Sequence, residues 1–299
     1  MGGIATAVAA ISSAALVILL ADPLDSTVIA AGRVLVTALV MSLIAGSTLI
    51  VPWRAAARDP AVRWQMLLAA CLLALHFAAW IASLTMTTVI RSVTLVATQP
   101  LFAALIGRWL GDRAPWQSYA AGAVAVLGTS VMFVGQGGGL ASGLAGGQAV
   151  PANLGDALAL VAAVAAAGYL AVGRSLRDRL PLPAYLGVIH LWAAAILVVV
   201  VLVRNAPWVP PGAQWSDLAA VVYLGLVPGV VGHGLLNWAV RWAPVHVVSL
   251  AVVVEPVAAA ALAVVVLGGS VSVWEVAGAA VVLAAVALGA WRPRPDSTG

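Results

Sequence analysis

The chain has 299 residues, 64% of them hydrophobic and 8% charged, with a mean hydropathy of +1.10. A soluble domain carries roughly a quarter charged residues, so 14 arginines, no lysine and 10 acidic residues cannot wet a globule of this size. A soluble enzyme, a nucleic-acid-binding protein and a disordered chain are excluded, which leaves an all-α, polytopic integral membrane protein.

A hydrocarbon core of about 30 Å takes roughly 20 apolar residues per helix. Ten such runs follow one another, at 4–20, 27–51, 65–84, 87–107, 116–135, 154–172, 184–203, 218–240, 245–267 and 273–290. They are apolar on every side rather than alternating, which favours transmembrane helices over a β-barrel. The first run has no basic residues before it and no small-x-small cleavage site, so it reads as a retained helix. It begins almost at Met1, which leaves open a longer natural N-terminus. Cys71 sits inside the third run, can form no intramolecular disulfide and reads as packing.

Charge between the runs sets the orientation. Arg54, Arg58, Arg63, Arg108, Arg113, Arg174, Arg177, Arg179, Arg241, Arg292 and Arg294 fall on one side, and Arg204 alone on the other. The positive-inside rule then places both termini in the cytoplasm and the chain in the plasma or inner membrane. The sequence pI near 10 therefore reports topology, not nucleic-acid binding. Trp53, Trp64, Trp109, Trp116 and Trp291 mark the inner interface, and Trp208, Trp215 and Trp274 the outer one. An external Gly-rich linker at 137–153 separates five-helix units at 1–136 and 154–291, and 292–299 is a cytoplasmic tail.

The two units share a pattern. His76 and His233 lie 157 residues apart, as do Arg33 and His190. Gln99–Pro100 answers Glu255–Pro256, and Gly122 and Gly128 answer Gly278 and Ala284, each 156 residues on. Five is odd, so the second unit enters the membrane from the opposite side. Such inverted repeats give secondary transporters two exchangeable half-states around a midplane site.

At these residues the chain resembles a known family. The stretch from Val227 to Arg241, VPGVVGHGLLNWAVR, followed by Val254-Glu255-Pro256-Val257, is similar to the second half of EamA-type members of the drug/metabolite transporter superfamily. His76-Phe-Ala-Ala-Trp80, Thr98-Gln99-Pro100-Leu-Phe and Leu110-Gly-Asp-Arg113 are similar to the first half. The resemblance implies ten helices in two repeats and a small-solute carrier, often an exporter of amino acids or related metabolites. One departure is Gly269, which stands where the family usually has an acidic residue that Asp112 keeps in the first half.

Polar groups in lipid mark candidate sites, since a charge at the bilayer centre costs about 2.5–3.5 kcal/mol on insertion scales. Glu255 lies about 15 Å into its run at the helical rise. Its carboxyl either binds a substrate ammonium or carries a proton, or else it locks helices together. Pro256 removes a backbone donor there and kinks the helix, as Pro100 does in the first half. Gln99 offers donors and acceptors to a solute or to a neighbouring helix. His76 and His233 either carry a proton, as histidine does near physiological pH, or pack; His190 is the weaker candidate.

Arg33, about 9 Å inside the outer end of its helix, can snorkel, pair with Glu255 or meet a substrate carboxylate. The resemblance, which places a frequent Arg at this point, favours a functional or gating role. Arg91 is better placed to snorkel. Trp80, Trp192 and Trp238 line a cavity or pack, and Asn237 joins helices or contacts the solute. No metal site is expected, because neither His76 nor His233 has a second ligand one turn on. No cofactor is expected either, and the absence of a Walker loop excludes ATP-driven pumping by this chain.

The reading is a secondary active transporter of a small metabolite, an amino acid or related solute, working as an exporter by alternating access. Its partners are the solute, the lipid bilayer and coupled protons; a homodimer is left open. The alternative is a membrane-embedded enzyme acting on a lipid or envelope precursor. That chemistry needs paired carboxylates, a metal cluster or an activated nucleophile, and the runs hold no such set.

Overall fold

The computed structural model describes residues 2–21, 23–87, 89–109, 114–134, 152–267 and 272–290. The Gly-rich linker apart from Ala152 and Asn153, the tail at 292–299, Trp291, and the stretches 110–113 and 268–269 used in the comparison of the halves lie outside these residues.

Across the described residues the chain is helical. The elements are α1 (Gly2–Leu20), α2 (Ser26–Ala45), α3 (Ile50–Arg58), α4 (Pro60–Met86), α5 (Val89–Val96), α6 (Gln99–Trp109) and α7 (Trp116–Val134). They continue as α8 (Ala152–Arg177), α9 (Leu182–Val203), α10 (Trp215–Ala239), α11 (Val245–Val252), α12 (Glu255–Leu267) and α13 (Val273–Ala290). Six stretches are long and apolar enough to cross a bilayer by themselves. With α5–α6, α7, α11–α12 and α13 they make the passes of a polytopic membrane protein.

Helix starts follow from local chemistry. Asp25 Oδ1 accepts from the Thr27 amide at 2.8 Å and caps α2. Asp59 does the same for α4 through Ala61 at 2.9 Å, with Pro60 in the first turn where a missing amide costs nothing. Gln214 and Asp217 form a reciprocal capping box at the start of α10.

The second apolar run is not one straight helix. It ends at Ala45, where Gly46 takes φ +51°, a conformation that glycine adopts without a Cβ penalty. A 3₁₀ turn over Gly46–Leu49 then leads into the short helix α3. The fourth and ninth runs are broken too, at Ala97–Thr98 and at Val253–Val254. Each break falls just before a residue followed by proline.

Three pairings dominate the packing: α4 along α8, α2 along α9, and α7 along α13. Between membrane helices close approach depends on small residues, and the α7–α13 crossing shows it. A Cβ on Gly128 would stand 2.9 Å from the Val282 amide nitrogen and 3.0 Å from the Gly278 oxygen. Large apolar side chains such as Leu43, Val203 and Val265 are exposed around the outside, as a lipid-facing surface requires. Ion pairs link the helix ends: Arg179–Asp59 at 3.2 Å and Arg241–Asp178 at 3.8 Å, both exposed, and Arg204–Asp25 at 3.7 Å, with Asp25 half-buried. Trp64, Trp116, Trp215 and Trp274 are all exposed.

Candidate functional site

The two broken helices meet at the centre of the molecule. Pro100 and Pro256 have no backbone N–H, so a regular ladder cannot run through either position. The chain closes each break with short turns: Thr98 N to Leu95 O at 3.1 Å, and Val254 N to Ala251 O at 3.2 Å. Gln99 Nε2 donates to Ser249 Oγ at 3.4 Å, a long bond that links the two broken helices.

Beside them is a cavity of about 50 Å³, room for a few water molecules in this conformation. Arg33, His76, Trp80, Gln99, His233 and Glu255 line it. A smaller cavity of about 20 Å³ adjoins it and shares Trp80, Gln99 and Glu255, with Pro100 and Pro256 in its wall. Residues from α2, α4, α6, α10 and α12, far apart in sequence, thus converge on one space.

Arg33 is the costliest occupant. It is 1% exposed, and neither Nη1 nor Nη2 has a hydrogen-bond partner among the described residues. Its guanidinium lies 4.3 Å from the centroid of the Phe77 ring and 5.9 Å from that of Trp80. Cation–π contact offsets part of the cost of burying a charge, but leaves the donors free. Glu255 faces the guanidinium electrostatically without closing a hydrogen bond to it.

The backbone behind Arg33 is held firmly. A π-helical stretch over Gly225–His233, interrupted by Pro228, packs against α2. The Thr37 hydroxyl lies 2.9 Å from the Gly225 carbonyl and 3.0 Å from that of Arg33. A Cβ on Gly225 would stand 2.8 Å from the Arg33 oxygen, so glycine is what lets α10 come this close. π-Type turns occur often at functional sites, and here the stretch delivers Pro228 and His233 to the cavity wall.

The histidines are placed differently. His76 Nδ1 meets the Ala162 carbonyl at 3.0 Å, and its ring stacks over Trp80 at 6.2 Å and approaches His233 at 6.3 Å. Phe77 also sits edge-on to His233 at 5.2 Å. His190 is buried in α9 with Nδ1 2.9 Å from the Leu186 carbonyl and Nε2 unpartnered. It lies close enough to Arg33 to feel its charge.

Not every candidate reaches the cavity. Asn237 is fully buried one turn beyond His233 and donates through Nδ2 to the His233 carbonyl at 2.8 Å, away from the lining. Trp192 packs edge-on against Trp53 at 5.3 Å, and Trp238 is 46% exposed beside Gly3. Tyr169 of α8, with Ala166 and Leu170, lines the wall although sequence reasoning passed over it. A phenol inside an apolar run does not lower its hydropathy enough to be noticed.

A family model described as "EamA-like transporter family" matches residues 153–290. Among solved structures, one titled "Crystal structure of protein" is 19% identical, with a TM-score of 0.76 over 96% of each chain. At that identity the likeness speaks for the fold. No curated protein matches the chain.

Proposed function

We propose that this chain, which carries an EamA-like transporter family domain at residues 153–290, is a secondary active transporter that exports a small metabolite, an amino acid or related solute. The single observation behind this reading is the unpaired Arg33 guanidinium, buried in a central cavity opposite Glu255. An uncompensated buried charge is expensive, and a ligand that supplies its partner makes the cost functional. Two free Nη groups suit a carboxylate, while Glu255 suits an ammonium or a proton. Gln99, His76 and His233 supply the remaining polar contacts, and Trp80 an aromatic face.

The proposal extends to symmetry and orientation. Units 1–136 and 154–291 form an inverted pair: α2 packs on its counterpart α9 and α7 on α13, while α4–α8 answers α10–α1. Rocking of one unit against the other would open the cavity to each side in turn. Both termini face the cytoplasm, in the plasma or inner membrane. Transport rather than enzymatic chemistry is the reading that the EamA-like transporter family match at residues 153–290 supports.

The test is the extracellular metabolite profile of bacterial cells overproducing the protein, beside cells making Glu255→Ala. A small solute accumulating outside only with the intact protein is the expected result and names the substrate. Profiles indistinguishable from those of cells without the protein would refute export.

A further inference from the structure

The connector between α2 and α4 carries an exposed basic and aromatic face. After the bend at Gly46, α3 runs from Ile50 to Arg58 and meets α4 across a single residue, Asp59. Pro52 and Ala56, four residues apart, are buried where α3 packs against α4 and α9. Ile50, Trp53, Arg54, Ala57 and Arg58 recur at the three- and four-residue spacing of the opposite face, and all five are exposed. Arg63 and Trp64, near the start of α4, are exposed as well. Trp53 also meets Trp192 of α9 edge-on at 5.3 Å, which fixes α3 against the bundle.

The arginines around this end of the molecule divide in two. Arg174 donates to the Ala243 carbonyl and Arg177 to the Leu180 carbonyl, while Arg179 pairs with Asp59 and Arg241 with Asp178. Arg54, Arg58 and Arg63 form no ion pair among the described residues. Asp59, the one carboxylate between them in sequence, is already taken up by the Ala61 amide and by Arg179. The positive-inside rule explains why arginines gather on one side of the membrane. It does not explain why three without partners share one short amphipathic stretch with two exposed tryptophans.

That combination has a chemical match. A guanidinium presents a planar fork of donors that fits phosphate oxygens two at a time. Indole rings favour the headgroup level of a bilayer. Leu43 and Ile44, in the last turn of α2, and Ile50 are exposed apolar side chains suited to acyl chains. Amphipathic helices of this kind lie in the membrane interface, and attraction to anionic lipids strengthens their hold.

We infer that α3 and the start of α4 form a binding site for anionic phospholipid headgroups, with Arg54, Arg58 and Arg63 on the phosphates and Trp53 and Trp64 at the headgroup boundary. The site sits on the connector between the helix that carries Arg33 and the helix that carries His76 and Trp80. An influence of lipid on transport rests on the transport proposed above; the binding does not.

The test is native mass spectrometry of the purified protein with phosphatidylglycerol or phosphatidylcholine of identical acyl chains. Phosphatidylglycerol should be retained in preference. An arginine near an anionic surface contributes about fivefold to binding, so Arg54→Gln with Arg58→Gln should weaken phosphatidylglycerol binding by about tenfold or more and leave phosphatidylcholine unchanged. Arg179→Gln with Arg241→Gln makes the same change in charge at the same end of the molecule. Because those arginines are already paired, it should weaken binding by less than about threefold. Equal losses in the two double variants overturn the inference, as does a protein that holds both lipids equally.

Should the variants fail to fold, the unaltered protein decides. Phosphatidylglycerol with a photoreactive diazirine in its headgroup should label residues 50–64 ahead of the segments that carry Arg174, Arg179 and Arg241; even labelling of all of them refutes the site. Failure of the metabolite-export test would remove the transport reading and leave both lipid readouts as they stand.

Discussion

The two breaks, at Gln99–Pro100 and at Glu255–Pro256, have the same construction and different chemistry. Each short helix ends four residues before the proline, at Val96 and at Val252, and each break places its polar residue on the wall of the same cavity. Gln99 is neutral and already engaged with Ser249. Glu255 is ionisable and faces an arginine that has no hydrogen-bond partner. The backbone repeats while the charge does not. On the proposed alternating-access reading, the twofold frame would supply two exchangeable conformations, and the single asymmetric carboxylate would give the cycle something to titrate or to bind.

Glu255→Gln breaks this comparison most severely, because it makes the two breaks chemically alike. Transport of the identified solute across a pH gradient should fall to background, with the protein still folded and inserted. Unchanged flux at every pH would remove Glu255 from the mechanism. Arg33→Lys comes next. It keeps the charge but loses the two-pronged donor set, so the expected result is a loss of apparent affinity of about tenfold or more, the cost of at least one charged hydrogen bond. Measured KM in proteoliposomes reads it; an unaltered KM would assign Arg33 to packing.

The sharper test moves the carboxylate. Gln99→Glu in the Glu255→Gln background transfers the acid to the other break. If the halves are equivalent around one cavity, pH-dependent transport reappears in part, at a rate below that of the original protein because Arg33 is positioned for Glu255. Complete absence of recovery would show that the surroundings of Arg33, rather than the cavity as a whole, define the site.

Much of this was legible in the sequence. Charge scarcity and the ten apolar runs specify the membrane class, because lipid tolerates only segments that satisfy their own backbone. Arg33, Glu255, Gln99, His76, His233 and Trp80 stand out because each is costly or unusual in an apolar run, and all six line the cavity. Other features escaped. The bend at Gly46 depends on a backbone conformation, and hydropathy is blind to it. Arg177 falls among the interfacial charges in the sequence, although it is 3% exposed. Hydropathy says how apolar a stretch is, not which face of a helix meets which neighbour, so Tyr169 could not be placed on the cavity wall before the packing was known.

The smallest expected effect concerns how the frame holds the site. Thr37 touches the carbonyls of both Arg33 and Gly225 where α2 meets the π-helical stretch of α10. Interhelical hydrogen bonds in membranes average about 0.6 kcal/mol, so Thr37→Val should lower thermal stability only slightly. The same change leaves the Gly225 carbonyl without its partner on α2 and loosens the backbone that presents Arg33. Affinity for the solute should therefore fall by more than the stability loss alone accounts for. Equal small losses in both would mean that the contact only packs two helices, and that Arg33 is oriented by the Phe77 and Trp80 rings instead.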